Sequence, residues 1–205
     1  MSSIRHASAA GINARLTQDN AVTIFIVYAF TLLSLISVSS PSVADYFLGL
    51  DYTSSNSELT YPNTYSTHYM NPIRLRAGYK SWRTGIEFDL LSQSDDDNTN
   101  GSVNFEMGPA GGVYFYMHES WWHIKLGGIW SKTKLTNNAT GESASPTLFQ
   151  YSGAVGAAFE LNKQFAIIAD YTYSKGSADY SSAGLDMGKS DVTTKSLALG
   201  VTYSF

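Results

Sequence analysis

The chain has 205 residues, of which 43% are hydrophobic, 14% aromatic and 15% charged, and it contains no cysteine. The lack of cysteine excludes disulfide scaffolds, thiolate metal sites and thiol catalysis, and a formal charge of only -4 does not indicate a nucleic-acid partner. Charged residues fall well below the roughly 25% of average soluble domains, while 14 tyrosines and 17 glycines favour hairpins over helices.

The first predicted element is a secretory leader. An apolar run, Ala21–Val38, follows Arg15 and precedes the small-x-small site Ser42-Val43-Ala44. This order of basic, apolar and small residues predicts a helical signal peptide over residues 1–44, cleaved after Ala44, and a mature domain over residues 45–205. Two alternatives stay open. An apolar run of this length could cross a bilayer uncleaved, and the long basic region also fits translation that begins downstream of the first methionine.

Eight strand-like segments follow, in which apolar and polar residues alternate. Their predicted bounds are Tyr46–Thr53, Met70–Tyr79, Arg83–Leu91, Val103–Tyr116, Trp121–Ser131, Leu148–Glu160, Phe165–Ser174 and Val192–Phe205. Alternation with period two is typical of strands, and no convincing helical period is found after residue 44. The segments therefore predict an all-β domain.

The connections between these segments alternate in length. Four are long and polar, namely Ser54–Tyr69, Ser92–Ser102, Lys132–Thr147 and Lys175–Asp191. Three are tight, namely Lys80–Trp82, Met117–Ser120 and Leu161–Gln164. Outer-membrane barrels have long extracellular loops at one end and short periplasmic turns at the other. We therefore predict an eight-stranded antiparallel up-and-down transmembrane β-barrel, closed because lipid does not tolerate an open sheet edge.

The two faces of the predicted strands differ in content. In the third segment Ile86 and Phe88 lie on one face, while Glu87 and Asp89 lie on the other. We predict that the apolar face meets lipid and that the charged face fills a narrow interior. The predicted interior ion network consists of Arg74, Arg76, Arg83, Glu87, Asp89, Glu106, His123, Lys125 and Asp170. We expect these charges to pair and plug the barrel; the alternative is that they line a pore.

Aromatic residues flank the apolar middle of the segments. The predicted girdle consists of Tyr79, Trp82, Trp121, Trp122, Trp130, Tyr151 and Tyr173. Two such belts are typical of membrane–water interfaces.

Three segments resemble the opacity-protein and OmpA-like superfamily of small outer-membrane β-barrels. They are NPIRLRAGYKSWRTGIEFDL (Asn71–Leu90), YSGAVGAAFELNKQFAIIADYTYS (Tyr151–Ser174) and LALGVTYSF (Leu197–Phe205). The ending, with Gly200, Tyr203 and Phe205, is similar to the C-terminal membrane-assembly signal of such barrels. One departure is Ala198, where a polar residue is often found.

The resemblance implies a monomer in the outer membrane of a Gram-negative cell. The implied partners are the lipid bilayer with its lipopolysaccharide, the outer-membrane assembly machinery, and a host or surface ligand at the loops. Members of the superfamily serve as structural anchors, adhesins or surface antigens.

The sequence matches known metal-binding and catalytic motifs only in part. The acidic segment Asp95–Gly101 partly matches an EF-hand loop, but Met107 stands where the bidentate glutamate should be. We interpret the segment as a solvated hairpin loop, with weak surface cation binding as the alternative, and predict no metal site and no cofactor. No histidine, serine and acid are spaced as a catalytic set, so no enzymatic activity is expected.

The leading functional prediction is a barrel that displays four polar surface loops in a structural, adhesion or surface-antigen role. Tyr61, Tyr65 and Tyr69 in the first loop are candidate contact residues. The alternatives are a small passive channel, a lipid A-modifying enzyme and a soluble ligand-binding barrel.

Overall fold

The computed structural model describes residues 45–60, 65–81, 83–95, 103–181 and 188–205. The predicted leader, Trp82 and most of the acidic segment lie outside these residues. The described residues form strands β1 (Asp45–Thr60), β2 (Tyr65–Met70), β3 (Ile73–Ser81), β4 (Thr84–Leu91), β5 (Ser94–Asp95), β6 (Val103–Glu119), β7 (Trp122–Asn137), β8 (Ser143–Ala144), β9 (Thr147–Glu160), β10 (Phe165–Asp179) and β11 (Lys189–Ser204). Within them no helix is long and apolar enough to cross a membrane, which says nothing about crossing by strands.

Eight of these strands form a closed antiparallel ring. The order around it is β1, β3, β4, β6, β7, β9, β10 and β11, and β11 pairs back onto β1. Closure gives every ring strand a neighbour on both sides, so the ring has no edge strand. The predicted eight-stranded up-and-down barrel is confirmed.

The three short strands extend the ring at the end where the long connections were predicted. β2 pairs with β1, β5 with β6, and β8 with β7. β2 and β3 keep one register against β1 and are interrupted only at Pro72, whose carbonyl still accepts from the Thr53 N–H at 3.1 Å. We call this end of the barrel the hairpin end and the opposite one the turn end.

The ring strands are longer than predicted. β1 has 16 residues and β6 has 17, whereas about 9–11 residues suffice to cross a bilayer. The extra length comes from predicted loops: Ser54–Tyr69 holds the second half of β1 and almost all of β2. Tyr65 and Tyr69 therefore lie in a strand, and Tyr61 lies outside the described residues.

The two faces of the strands exchange polarity along the barrel, and the additional strand length lies beyond the point of this exchange. In the half of the barrel nearer the turn end the outward residues are apolar, as at Leu126 and Leu199 in mid-strand, which are 62% and 61% exposed. Towards the hairpin end the outward residues are polar and the inward ones apolar. The inward apolar residues form one buried cluster, the hairpin-end core: Leu59, Met70, Val103, Phe105, Met107, Leu135, Ala144, Leu148, Ala178, Tyr180 and Val192. Burial of apolar surface thus stabilises this end as it does in a water-soluble barrel.

A β-bulge in β6 changes which of its residues face inward. Gly108 and Pro109 together oppose a single residue of β7, between the pairs that Met107 and Ala110 form. Pro109 has no N–H to donate, which suits an irregular position in a sheet. The extra residue shifts the alternation, so Met107 and Ala110 are both buried. Glu106 consequently faces outward.

Candidate functional site

A cluster of charged side chains fills the barrel interior at the height of the outward apolar band. We call it the central cluster. Its members are all buried: Asp51, Arg74, Arg76, Glu87, Asp89, His123, Lys125 and Asp170. They belong to β1, β3, β4, β7 and β10. Every second residue of a strand faces inward, so closure of the ring brings these side chains together.

Asp170 is the hub of the central cluster. Its Oδ2 accepts hydrogen bonds from Arg74 Nη2 at 2.7 Å and Lys125 Nζ at 2.8 Å, and lies 3.3 Å from Arg76 Nη1. Its Oδ1 lies 2.5 Å from His123 Nε2. One carboxylate of β10 therefore cross-links β3 and β7, neither of which pairs with β10.

Two further carboxylates complete the cross-links. Asp51 accepts from Arg74 Nε at 2.8 Å and from Arg76 Nη2 at 3.0 Å. Glu87 accepts from Lys125 Nζ at 2.6 Å. Charge-assisted hydrogen bonds of this kind are about twice as strong as neutral ones. The Asp51 contacts reinforce the paired strands β1 and β3, whereas the Glu87–Lys125 contact joins β4 and β7, which share no backbone hydrogen bonds.

The charges of the central cluster nearly balance. Its two arginines and one lysine face four carboxylates, and the ring of His123 lies beside one of these, Asp170. Buried charges are costly unless they are paired. The removal of any one cation therefore leaves a carboxylate without compensation.

Two glycines make room for these side chains. A Cβ at Gly156 would collide with the carboxylate of Asp170 and the imidazole of His123, and one at Gly200 would collide with Asp51. Both glycines therefore stand where the interior has no space for a side chain.

We expect Gly156→Ala to lower the free energy of unfolding by about 1–3 kcal/mol, because overpacking forces neighbouring side chains off their rotamers. Urea unfolding of the protein refolded into lipid vesicles measures the change. Gly153→Ala on the same strand is the matched control. There an added Cβ would meet nothing closer than Leu126 at 3.6 Å. Equal effects of the two substitutions would contradict the assignment of Gly156.

Two predicted members of the network lie elsewhere, so their assignment to the interior is wrong. The Arg83 side chain is 57% exposed and pairs with Glu119 at 3.1 Å, because Arg83 lies in the turn before β4, where the alternation ends. Glu106 faces outward because of the bulge and pairs with Lys134 at 3.2 Å.

The sequence prediction missed one member of the central cluster, Asp51. The signal was present, because the flanking residues Leu50 and Tyr52 are apolar and point to the opposite face. The other seven members were among the predicted residues.

The predicted aromatic residues lie outward at two heights. Tyr79, Trp121 and Trp122 are exposed near the turn end, and Trp130, Tyr151 and Tyr173 are exposed at the upper border of the apolar band. Trp82 lies outside the described residues.

The three residues of the predicted assembly signal lie in or directly after strand β11. Gly200 pairs with Asp51 across β1 and β11. The Tyr203 ring contacts those of Phe165 and Phe205, with centroids 5.0 and 5.3 Å apart. Their role in membrane assembly stays a prediction.

Along the strands, a layer of hydroxyl groups lies between the central cluster and the hairpin-end core. Tyr114 donates to Ser152 at 3.1 Å, Ser152 and Ser174 are 2.8 Å apart, and Ser57 and Thr194 are 2.9 Å apart. The interior thus has charged, hydroxyl and apolar layers in succession. Nowhere in the described part of the chain do three or more His, Asp or Glu side chains form a group able to hold a metal ion.

Comparisons with known proteins agree with this architecture. The family model described as outer membrane protein beta-barrel domain matches residues 28–205. Neisserial surface protein A is similar in structure, with a TM-score of 0.56 and 15% identity over 78% of this chain and 97% of that one. Ail, the attachment invasion locus protein of Yersinia pestis, solved with the heparin analogue sucrose octasulfate, has a TM-score of 0.51 and 16% identity over 80% of this chain and 100% of that one. No curated protein sequence matches the chain.

Proposed function

The chain belongs to the outer-membrane β-barrel family and lies in the outer membrane, and on that basis we propose that it presents its hairpin tips at the cell surface. The role is that of a structural anchor, an adhesion protein or a surface antigen. The observation that carries the proposal is the continuation of the strands beyond the outward apolar band. A surface role agrees with the names of the two solved barrels, a surface protein and an attachment invasion locus protein.

Strand β11 illustrates the continuation. Its outward residues Leu197, Leu199 and Val201 are exposed and apolar, whereas the outward face from Lys189 to Lys195 is polar. Strands rise about 3.3 Å per residue, so this polar part adds on the order of 20 Å of strand above the lipid. The hairpin-end core fills the barrel interior at the same height and makes this projecting part rigid. Loop tips on a rigid scaffold are where binding residues concentrate.

The interior layers do not favour the passive channel. An open pore would need a polar path along the whole barrel, but the hairpin-end core places fully buried side chains such as Leu59, Leu135 and Val192 across it. We therefore propose that the central cluster and this core together close the barrel. The expectation of no enzymatic activity stays a prediction.

The outward lysines support a proposed contact with lipopolysaccharide. Lys132 and Lys175 each follow a predicted girdle residue by two positions, so they lie on the same outward face just above it. That is the height at which the phosphates of an outer leaflet would meet cations. The assembly machinery is the second proposed partner, through the C-terminal strand.

Surface display is tested with epitope insertions at opposite ends of the barrel. We expect a tag after Ala139, in the exposed tip between β7 and β8, to bind antibody on intact cells. A tag after Asn162, in the exposed turn between β9 and β10, is expected to bind only after the outer membrane is permeabilised. Labelling of the Asn162 tag alone on intact cells, or of neither tag, would overturn the proposed orientation.

A further inference from the structure

Below the central cluster the interior opens at the turn end into a cavity of about 100 Å³. The inner wall includes the buried side chains of Arg76, Tyr116 and Lys125. The mouth is formed by exposed turn residues, among them Asn162 and Lys163. Short turns of outer-membrane barrels lie on the periplasmic side, so the mouth faces the periplasm.

The lining of this cavity carries more positive than negative charge. Its cations are Arg76, Lys80, Lys125 and Lys163, and its carboxylates are Glu87 and Glu160. Arg76 and Lys125 already pair with the central cluster. Lys80 and Lys163, nearer the mouth, therefore supply attraction for an anion, and low-dielectric walls focus such a field.

Two polar groups in the wall lack partners. The Tyr116 hydroxyl and His118 Nε2 are buried and find no hydrogen-bond partner among the described residues. A buried polar group left unsatisfied costs about 1–3 kcal/mol. Tyr114, the preceding inward residue of the same strand, does have a partner in Ser152.

The Tyr116 hydroxyl is held in a fixed position. Its ring lies against Phe47 edge-on at 6.0 Å and against the His118 ring at 5.6 Å, measured between centroids. Donors that are oriented before a ligand arrives cost little to order on binding.

We propose that this cavity binds a small oxyanion of the phosphate or carboxylate class. The Tyr116 hydroxyl and the N–H of a neutral His118 ring in its Nε2–H tautomer donate to the ligand, and Lys80 and Lys163 attract it. The small volume limits the ligand to a few heavy atoms. A cation would lie close to Lys80 and Lys163, and a purely apolar ligand would leave the Tyr116 hydroxyl unsatisfied.

The test is thermal unfolding of the full barrel in phosphate-free, non-ionic detergent, titrated with inorganic phosphate against chloride at constant ionic strength and pH. We expect phosphate to raise the unfolding temperature saturably, as any ligand of the folded state does. Tyr116→Phe is expected to unfold at a higher temperature than the wild type without phosphate, because it removes an unsatisfied hydroxyl. It should also bind phosphate about tenfold more weakly, the effect of losing one hydrogen bond to a charged group.

Matched variants separate binding from folding. Tyr114→Phe loses a satisfied hydroxyl and should unfold at a lower temperature with an unchanged phosphate response. Lys163→Gln in the exposed turn should weaken the phosphate response, and Lys132→Gln on the far outward face should not. Acetate in place of phosphate tells which oxyanion is preferred.

The source of the oxyanion is tested in phosphatidylcholine vesicles. If the headgroup phosphates of the vesicle occupy the site, added inorganic phosphate no longer raises the unfolding temperature, and the site is assigned to lipid headgroups. If added phosphate still raises the unfolding temperature, the site is assigned to free ions. An unfolding temperature equal in phosphate, acetate and chloride would overturn the proposal. So would a full phosphate response in both Tyr116→Phe and Lys163→Gln.

Discussion

Replacement of Lys125 by methionine is expected to lower the free energy of unfolding by about 3–5 kcal/mol, the usual cost of breaking a buried ion pair from one side. Lys125 Nζ contacts Glu87 at 2.6 Å and Asp170 at 2.8 Å, and its side chain is 2% exposed. Methionine fills a similar volume, so lost packing contributes little. The change leaves two arginines against four buried carboxylates.

Urea unfolding in lipid vesicles, followed by tryptophan fluorescence, measures this loss. Lys132→Met on the same strand is the control, because Lys132 is exposed on the outward face. Exposed substitutions of this kind usually stay within about 0.5 kcal/mol. If Lys125→Met were as mild as Lys132→Met, the central cluster would not stabilise the barrel.

Leu199→Arg is expected to cost about 2–4 kcal/mol, the penalty for a cation on the lipid face near the middle of the membrane. Leu199 is 61% exposed and lies between the outward residues Leu197 and Val201 on β11. A guanidinium there must leave water for hydrocarbon. Leu126→Arg on β7 should behave in the same way.

Ser177→Arg is the control for the lipid-face substitutions. Ser177 faces outward on β10 above the apolar band, where it pairs with Asp191. The cost of a cation falls to about 0–1 kcal/mol near the interface. Equal costs at Leu199 and Ser177 would mean that the outward apolar band does not mark the hydrocarbon.

Much of the architecture could be read from local pattern. The alternation in Thr84–Leu91 predicted that Glu87 and Asp89 face inward and Phe88 outward, and the structure places them so. The tight connections at residues 80–82 and 161–164 predicted the turn end. Both inferences use neighbours in sequence, which is why they needed no tertiary information.

The strand ends and part of the ion network could not be read in this way. Ser54–Thr60 alternates as a strand, but with polar residues outward and Leu59 inward, which is the reverse of the pattern below it. A strand prediction that requires the apolar residues to stay on one face therefore ends the first strand at Thr53. The bulge at Gly108 and Pro109 likewise turned Glu106 outward, and one extra residue is invisible to a period-two count.

The sequence by itself determined the closed β-barrel, its outward apolar band and most of the charged residues inside it, because period-two alternation assigns each side chain to a face. The tertiary structure decided which of those charges meet, since Asp170 reaches Arg74 and Lys125 across strands that are not its neighbours. It also decided that an apolar core lies above them. Both depend on the stagger of strands around a closed ring, which brings together residues that lie far apart in the chain.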